Sequence, residues 1–336
     1  MNREQIDRLM ADVSVQPAGC QPRLIETHIS WVIMTGGFAY KIKKPMQYSF
    51  LDFSTLEKRK FYCERELVLN RRLTEEVYLG VLPIFSTEER ISIGSIHGEV
   101  IDYAVKMKEM EPGRRMDILL KEDKVGYSDI GRLVEKIAGF HHRTEIIPNK
   151  DIMDIPLKFA DLANEREFLS GYLPVAAYIP WAVHASLSFI ERHWKLVAAR
   201  QEEGLTRDCH GDLHTRNIFL LNDPQPFDCI DFNDDLRQID VLNEVAFLCM
   251  DLDASGRRDL SAIFLIRYNE LFPVVRTKEE EKLFLYFESY RANVRAKVNS
   301  YRARTAVTLD ERDAALRQAE KYLWLMKEYL EQLQVA

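Results

Sequence analysis

Apolar and polar positions alternate in the first third of the chain in the manner of β-strands. Within residues 28–43, Ile29, Trp31 and Ile33 alternate with polar or smaller residues, and Gly36-Gly37 follows them as a turn. Because successive side chains of a strand point to opposite faces of a sheet, this alternation indicates strands with one buried face. The segment is therefore predicted to form a β-hairpin.

The rest of the first hundred residues adds one long helix and further strands. Helical spacing predicts a helix from about Thr55 to Leu73, with Ser54 as its N-cap and Glu57 three places further on. Strands are predicted near residues 78–85, 90–96 and 99–107, and a short helix and a loop over residues 1–19. This part of the chain is thus predicted to be mainly strand with one long helix.

The pattern changes after Glu111-Pro112-Gly113, where helical periodicity takes over. Helices are predicted within residues 114–145, 159–171 and 182–203 and from Asp240 to the end, interrupted by a β-rich island at 215–232. The fold class predicted from this order is α+β, with a small sheet-containing part and a larger, mainly helical part that meet near residues 108–113.

Composition and charge narrow the range of functions. The 336 residues are 46% hydrophobic and 29% charged, and the net charge is −7, so we expect no general binding to nucleic acid or to anionic membranes. The five cysteines never form a CxxC pair, which favours reduced thiols in a cytoplasm. Residues 1–19 lack the apolar core of a signal peptide, and the uncharged stretch 172–183 is too short to span a membrane.

Candidate chemistry is concentrated in the β-rich island. Residues 210–221 are H-G-D-L-H-T-R-N-I-F-L-L, and residues 227–232 are F-D-C-I-D-F. Asp212 and Asn217 are five residues apart on a predicted tight loop, and a hairpin would return Asp231 to the neighbourhood of Asn217. Phosphoryl transfer from a nucleotide requires a carboxylate near the attacking hydroxyl and oxygen ligands for Mg²⁺. The pattern therefore predicts a magnesium-dependent phosphoryl-transfer site.

The H-G-D-x-x-x-x-N motif followed by I-D-F resembles the catalytic signature of the aminoglycoside phosphotransferase and choline kinase-like families, which are relatives of protein kinases. The resemblance implies a protein-kinase-like fold, ATP and Mg²⁺ as cofactors, and phosphate transfer to a small molecule. It also implies that Asp212 is the catalytic base and that Asn217 and Asp231 are metal ligands. His210 would support the loop structurally, and Asp240 would buttress it from the next helix.

The same resemblance implies a nucleotide-binding lysine on the strand after the hairpin turn, paired with a glutamate on the following helix. Lys41 lies where this lysine would be, and Lys43, on the same strand face, remains an alternative. On the helix, Glu66 is the best candidate partner and Glu64 is the second. Lysines on a strand edge and glutamates on an exposed helix face would have the same pattern without any function.

The resemblance implies that residues 1–108 form a nucleotide-binding N-lobe and that residues 109–336 form a C-lobe with the catalytic loop and acceptor-binding helices. The segment from Tyr103 to Met110 would cross the adenine pocket, with the hinge between the lobes near 107–111. The phosphate-covering loop is assigned to Thr27–Ser30. Residues 26–31, 40–45 and 50–57 are similar to an uncharacterised bacterial branch of aminoglycoside phosphotransferase-like proteins. The chain contains no GxxxxGK[ST] motif, so a second nucleotide site of that type is not expected.

A basic segment near the end of the chain stands out in an acidic protein. Five cations occur within fourteen residues without an acid among them: Arg291, Arg295, Lys297, Arg302 and Arg304. A solvated helix face, or a partner for the acids at 279–281, explains such a run without function. Alternatively, Arg291 and Arg295, which share one helical face, are acceptor-binding residues, and the small-molecule acceptor is then anionic.

Two further interpretations remain open from the residues. The chain could be a regulatory nucleotide-binding protein with a kinase fold, although Asp212, Asn217 and Asp231 are all present. It could also be a protein-directed kinase or an adenylyl transferase. Cys209, His210, His214 and Cys229 could hold zinc, which thiolate and imidazole favour, but their spacing fits no familiar zinc motif.

Overall fold

The computed structural model describes residues 1–12, 21–48, 51–74, 76–94 and 97–335. Cys20 lies outside the described residues, as do the predicted loop at 13–19, positions 49–50 and the end of the predicted strand at 95–96. The chain divides into two compact units. The first comprises Met1–Arg115 with Asn217–Leu236, and the second comprises Met116–Arg216 with Arg237–Ala336. The predicted division after residue 108 did not include the return of the segment 217–236 to the first unit.

The strands and helices follow the predicted order. The strands are β1 (Arg23–Glu26), β2 (Ser30–Met34), β3 (Phe38–Lys43), β4 (Gln47–Tyr48), β5 (Leu51–Asp52), β6 (Tyr78–Ser86), β7 (Ile91–Ile93), β8 (Glu99–Lys108), β9 (Thr206–Asp208), β10 (Ile218–Phe219), β11 (Gln225–Pro226) and β12 (Gln238–Asp240). The helices are α1 (Arg3–Met10), α2 (Leu56–Arg71), α3 (Met116–Lys121), α4 (Tyr127–Arg143), α5 (Asp154–Ala160), α6 (Arg166–Ser170), α7 (Ile179–Glu202), α8 (Val241–Ala254), α9 (Arg258–Leu271), α10 (Lys278–Thr305) and α11 (Leu309–Val335).

The first unit is built on a six-stranded antiparallel sheet with the strand order β1-β2-β3-β8-β6-β7. The predicted hairpin at 28–43 is confirmed as β2 and β3, in which Val32 pairs with Lys41. On its other side β3 pairs with β8, so Lys41 also lies opposite Val105. Because β3 has a neighbour on each side, it holds its side chains in a fixed register.

Helices cover both faces of this sheet. Ile6 and Leu9 of α1 are buried in an apolar cluster with Trp31, Ile33 and Ile42 of the sheet. On the opposite face, Cys63 of α2 packs in a second cluster with side chains such as Ala39 and Val105. Since side chains alternate along β3, the lysines at 41 and 43 belong to the face that α2 covers.

The start of α2 differs from the prediction by one residue. Thr55, not Ser54, is the N-cap, and its side chain accepts a hydrogen bond from the Lys58 N–H. Ser54 instead donates both its backbone N–H and its hydroxyl to Asp52, at 3.0 and 2.6 Å. The hydroxyl of Ser54 is therefore already hydrogen-bonded to Asp52 in the turn before the helix. Thr55, the next residue with a hydroxyl, is the N-cap instead.

The second unit is mainly helical and is organised around α8. Every residue from Val241 to Leu252 is buried, so this helix has no solvent-facing side over twelve residues. Helices with apolar residues on all sides occur in the cores of larger proteins. Helices α9, α10 and α11 pack against α8, while β9 and β12 form a short antiparallel pair immediately before it. The predicted α+β class is confirmed.

The predicted β-rich island is less regular than expected. Within residues 215–232 the only described strands are the two-residue β10 and β11, preceded by a 3₁₀ turn at Thr215–Asn217. Pro224 and Pro226 interrupt the run of backbone donors, which limits the length of the ladder. Cys63, Cys209, Cys229 and Cys249 are buried, and none of them forms a disulfide bond within the described residues. Within the described part of the chain, no helix has the length and apolarity needed to cross a membrane.

Candidate active site

In the first unit, β3 and α2 form a network of buried charges. Lys41 and Lys43 lie on one face of β3, and Glu66 of α2 receives both ammonium groups. The Nζ of Lys41 is 2.8 Å from Glu66 Oε1, and the Nζ of Lys43 is 2.8 Å from Glu66 Oε2. The side chain of Glu66 is fully buried. Glu64, the second candidate partner, is exposed and lies 3.8 Å from Lys60.

Each lysine also contacts an aspartate from the segment after β11. Lys43 donates to Asp231 Oδ2 at 2.6 Å, and Lys41 donates to Asp228 Oδ1 at 2.6 Å. The side chains of Lys43 and Asp231 are 2% and 6% exposed, whereas that of Asp228 is 47% exposed. Lys43 is therefore the lysine that links the helix glutamate to the buried aspartate of the I-D-F motif.

Burial and charge set the protonation of this network. Burial by itself would raise the pKa of Glu66, but the two lysines hold it at about 2. Burial, followed by the nearby charge of Glu66, raises the pKa of Asp231 in spite of Lys43. Glu66 and Asp231 thus share the two ammonium groups of Lys41 and Lys43. An additional cation beside Asp231 would stabilise the ionised form of this buried carboxylate.

The segment carrying Asp231 is held in place by the hairpin and by α2. The Phe227 N–H donates to the carbonyl of Asn217 at 2.9 Å, next to the β10–β11 pair. Two residues after Phe227, the Cys229 N–H donates to Asn70 Oδ1 of α2 at 2.9 Å. Asp231 follows directly, and both Asn217 and Asp231 are buried, at 8% and 5% exposure.

This donor set fits Mg²⁺, the cation that the resemblance implies. Asn217 offers an amide oxygen and Asp231 a carboxylate oxygen, and Mg²⁺ binds such hard oxygen ligands through one or two protein groups while it keeps several waters. The raised pKa of Asp231 indicates that burial penalises its negative charge, so a divalent cation would stabilise its ionised form.

In the second unit, Glu244 of α8 anchors the loop that carries the H-G-D motif. Its carboxylate accepts the N–H of His210 at 3.0 Å and the N–H of Gly211 at 2.6 Å. Gly211 has a φ of 86°, in the left-handed region that glycine adopts without strain. The Asp212 N–H then donates to His210 Nδ1 at 3.3 Å. The backbone around Asp212 is therefore fixed from both sides.

Glu244 was missed by the sequence analysis, which assigned the buttressing role to Asp240. Asp240 instead forms a two-pronged pair with Arg200, at 2.7 and 2.9 Å, and caps α8 by accepting the Leu242 N–H. Asp240 and Glu244 are at i and i+4, and the second acid on the helix reaches the loop. A sequence signal was available, because an acid inside a mainly apolar helix is expected to be buried and then requires a partner.

His141 completes the support of Glu244. Its Nε2 lies 2.8 Å from Glu244 Oε2, and its Nδ1 lies 2.6 Å from the hydroxyl of Tyr268. Despite burial, the hydrogen bond and charge of His141 and the neighbouring His210 hold the pKa of Glu244 at about 2. Among the described residues, His141, Cys209 and Glu244 are also the one group of potential metal ligands whose donor atoms lie within 4.8 Å of one another. It differs from the four residues considered for zinc.

Asp212 is the accessible acid of this loop. Its side chain is 36% exposed, and its Oδ2 lies 3.4 Å from His214 Nε2. Burial would raise the pKa of Asp212, but the charge and hydrogen bond of His214, and then the charges of Arg295 and His210, hold it well below its usual value. Asp212 is therefore ionised at neutral pH and can accept a hydrogen bond from a hydroxyl.

A second missed acid, Asp251, fixes the other end of the loop. Its Oδ2 accepts the N–H of Thr215 at 3.0 Å and the hydroxyl of the same residue at 2.6 Å. The hydroxyl of Tyr322 donates to its Oδ1 at 2.8 Å. Glu244 and Asp251 are both on α8, so this helix holds the loop at two points.

The arginines proposed for acceptor binding both lie against this loop. Arg291 donates to Asn243 Oδ1 at 2.7 Å and to the Gly211 carbonyl at 3.2 Å. Arg295 Nη1 lies 3.3 Å from His214 Nε2. Both arginines are buried, at 4% and 6% exposure. The structure thus brings both to the catalytic-loop side of α10, with Arg291 already bonded to the loop backbone.

Comparison with known proteins relates the chain to phosphotransferases. Residues 120–284 match the family model described as "Phosphotransferase enzyme family". The fold matches a choline/ethanolamine kinase family protein from Mesorhizobium loti, at a TM-score of 0.52, 11% identity and 99% coverage of both chains. It also matches the GDP complex of aminoglycoside 2'-phosphotransferase-IIIa, at a TM-score of 0.53, 12% identity and 99% coverage of both chains. The chain therefore has the protein-kinase-like fold of these structures.

In sequence, the chain is similar to curated bacterial proteins without an assigned function. Uncharacterized proteins of Mycobacterium tuberculosis and Mycobacterium bovis are 30% identical over 284 residues, which is 82% of this chain and 54% of each relative. The chain therefore spans about half the length of the curated relatives that it matches.

The loop assigned to covering the phosphates in this kinase-like chain is a tight turn between β1 and β2. The Thr27 N–H donates to the Ser30 carbonyl at 2.9 Å, and the Ser30 N–H donates to the Thr27 hydroxyl at 2.9 Å. Its role toward phosphate stays a prediction. The same holds for the hinge, where β8 ends at Lys108 and a 3₁₀ turn follows at Pro112–Arg114.

Proposed function

We propose that this chain is an ATP-dependent phosphotransferase that moves the γ-phosphate to a hydroxyl group of a small-molecule acceptor. Asp212 accepts the hydroxyl proton, and Asn217 and Asp231 hold Mg²⁺ against the nucleotide phosphates. Lys43, oriented by Glu66, contacts the phosphates, and Lys41 adds a second positive charge to the same site. His210 and Glu244 hold the loop that carries Asp212.

One observation supports the proposal above all others, namely that Lys43 bridges Glu66 and Asp231 with distances of 2.8 and 2.6 Å. A lysine paired with a helix glutamate, together with a metal-binding aspartate, is the arrangement that kinase-type phosphoryl transfer requires. Burial of the four charges of Lys41, Lys43, Glu66 and Asp231 is costly unless they pair with one another or with a ligand. A nucleotide triphosphate with its metal is a ligand of that kind.

The chemistry assigned to the chain's own residues is positioning and charge neutralisation. The acceptor oxygen forms a bond to the γ-phosphorus, and the bond from the γ-phosphorus to the β–γ bridging oxygen breaks, so that ADP leaves with the electron pair. The hydroxyl proton passes to Asp212, whose lowered pKa keeps it ionised beforehand. When bound, Mg²⁺ would neutralise charge on the phosphate oxygens.

The proposed setting is the cytoplasm, in keeping with four buried cysteines that form no disulfide bond among the described residues. The curated relatives are uncharacterized proteins and therefore indicate no acceptor. The choice of acceptor class therefore rests on the charges around Asp212.

The test is a screen of a metabolite extract with γ-labelled ATP, comparing the parent with Asp212→Asn. Loss of the base is expected to lower the rate of label transfer by about 10²–10⁴-fold, with ATP binding and melting temperature retained. Asp313→Asn, an exposed substitution on α11, is the control and should transfer label at the parental rate. Equal transfer by the parent and Asp212→Asn would remove Asp212 as the base, and ATP binding without any transfer would favour a regulatory role.

A further inference from the structure

The basic run in α10 is divided between two opposite faces of the helix. At about 100° per residue, Arg291, Arg295 and Arg302 fall within an arc of about 40° of one another. Lys297 and Arg304 lie on the other side of the helix, about 200° away by the same rotation. Five cations that are adjacent in the sequence thus form two separate groups.

The group on the far face is neutralised by protein carboxylates. Arg304 Nη2 pairs with Glu165 Oε2 at 2.9 Å, and the Ser300 hydroxyl donates to the same oxygen at 2.6 Å. Lys297 donates to the Lys158 carbonyl at 2.5 Å and lies 3.9 Å from Asp161. These contacts account for the far-face cations as structural ion pairs.

The group on the near face has no such partners. Across the described residues, no carboxylate oxygen lies within 4.0 Å of a guanidinium nitrogen of Arg291, Arg295 or Arg302. Arg291 Nη2 and Arg295 Nε are buried and have no hydrogen-bond partner. A buried N–H without a partner is unfavourable. This face therefore carries unused donors and cations without a direct ion pair, and the carboxylates of Asp251 and Asp212 act on Arg295 only from beyond that distance.

Further cations surround the same face. Partial burial, and then the charges of Arg216 and Arg295, lower the pKa of Arg302 to about 10. Burial lowers the pKa of Lys321 as well, and Arg295 contributes to that shift. Asp212 belongs to the same electrostatic neighbourhood, because its charge acts on Arg295 and on Arg302. Mutual repulsion of these cations beside the catalytic loop would be relieved by a bound anion.

We propose that Arg295 and Arg302, with Arg216, bind an anionic group, a phosphate or a carboxylate, on the hydroxyl acceptor that Asp212 activates. Arg302 reaches solvent and would meet the ligand first, and Arg295 would receive it beside His214. Guanidinium groups match phosphate and carboxylate oxygens in geometry. Arg291 is assigned to positioning, since its guanidinium already bonds the Gly211 carbonyl and Asn243. The proposal rests on the proposed function and specifies its acceptor class.

The first experiment measures label transfer from ATP to matched acceptors that differ only in an anionic group: glycerol 3-phosphate against glycerol, and glucose 6-phosphate against glucose. The phosphorylated members are expected to be better acceptors. Arg302→Ala should lower kcat/KM for them by about 10–100-fold, the range of one bidentate charged contact. The loss should lie mainly in KM, with the KM for ATP changed less than two-fold.

Arg304→Ala is the matched control, because it removes one positive charge from the same helix on the far face. Its kcat/KM for the phosphorylated acceptors should stay within about two-fold of the parent, because the far face does not belong to the proposed anion site. Thermal unfolding checks the stability that is lost with the Arg304–Glu165 pair. An equal loss in Arg304→Ala and Arg302→Ala would overturn the proposal in favour of a general charge effect. A selective rise in the KM for ATP in Arg302→Ala would assign these cations to the nucleotide.

Equilibrium binding of inorganic phosphate, titrated into the protein with ADP and Mg²⁺ present, separates this proposal from the proposed function. The parent should bind phosphate at least ten-fold more tightly than Arg302→Ala. Phosphate binding that depends on Arg302 supports the anion site even if no acceptor of the panel is phosphorylated. Equal phosphate binding by both proteins, or transfer to the neutral acceptors as fast as to the phosphorylated ones, overturns the anion site and leaves the phosphotransferase assignment intact.

Discussion

At the scale of single residues, the alternation along β3 does not by itself decide which of its two lysines contacts phosphate. Lys41 and Lys43 point to the same face, so the alternation treats them alike. Their contacts distinguish them, because Lys43 pairs with the buried Asp231 and Lys41 with the half-exposed Asp228. The structure therefore favours Lys43 as the principal phosphate-contacting lysine, where the sequence had placed Lys41 first.

Replacing Lys43 by Met should lower kcat/KM for ATP by about 10²–10³-fold, the usual loss for one preorganised donor to developing charge. Lys41→Met should lower kcat/KM for ATP by about ten-fold or less. The second partner of Lys41, Asp228, is half-exposed, so solvent and salt screen that interaction. Steady-state kinetics with varied ATP measures both effects. Thermal unfolding of both variants is the control for folding.

A larger loss in Lys41→Met than in Lys43→Met would reverse this assignment. Arginine at position 43 would help to interpret the result, since a flat guanidinium cannot reproduce the contacts of an ammonium at 2.6–2.8 Å to two separate carboxylates. We expect Lys43→Arg to be nearly as impaired as Lys43→Met.

At the scale of elements, α8 and α10 have functions beyond packing. Helix α8 supplies Glu244 and Asp251, which bind backbone N–H groups at both ends of the catalytic loop. Helix α10 supplies Arg291, which binds the carbonyl of Gly211. The loop is thus held through its backbone by two helices, which fixes the position of Asp212 independently of the loop's own side chains.

The start of α2 gives a prediction at this scale. Thr55→Ala should destabilise the protein by about 1 kcal/mol, because the Lys58 N–H loses its capping oxygen. Ser54→Ala should cost less than half of that, since its hydroxyl bonds Asp52 in an exposed turn. Urea unfolding of the two variants checks the difference, and a larger cost for Ser54→Ala would restore the cap predicted from the sequence.

Helix α2 also links stability to the site, because it carries Glu66 and Asn70. Asn70 accepts the Cys229 N–H and so holds the segment that leads to Asp231. Loss of the Thr55 cap frays the helix from the end opposite to Asn70. Thr55→Ala should therefore lower stability while it leaves kcat within about two-fold, as expected for a change outside the site.

At the scale of the whole molecule, one buried acid sets a pH dependence of stability. Glu288 of α10 is 3% exposed, and burial, followed by the charges of Asp253 and Glu328, raises its pKa well above the ordinary value of 4.5. Folded Glu288 therefore keeps its proton above pH 4.5, where the unfolded side chain loses it. Its contribution to stability is complete below pH 4.5 and declines as the pH rises.

Glu288→Gln should stabilise the protein, and more so at pH 8 than at pH 4. Glutamine keeps the shape of the neutral acid and has no proton to lose on unfolding. Each kcal/mol recovered should raise Tm by about 2–4 °C for a domain of this size. Thermal unfolding at the two pH values measures the effect. Glu270→Gln, at an exposed position of α9, is the control, and a gain independent of pH in Glu288→Gln would contradict the burial argument.

The sequence by itself determined the order of elements and pointed to a candidate catalytic segment. Periods of two and of 3.6 residues identified the hairpin and the helices because these signals are local. The spacing of Asp212, Asn217 and Asp231 pointed to phosphoryl transfer because five residues on a loop and one short hairpin are also local. The same reasoning erred by one residue at the cap of α2, where two adjacent hydroxyl side chains compete.

Only the tertiary structure decided which side chains meet across long separations in the chain. It paired Lys43 with Asp231, assigned the support of the H-G-D loop to Glu244 instead of Asp240, and divided the basic run of α10 into a neutralised face and an unneutralised one. These outcomes depend on which carboxylate lies within about 3 Å of a given cation. A linear pattern carries no information on that distance, because the partners lie tens to hundreds of residues apart in the chain.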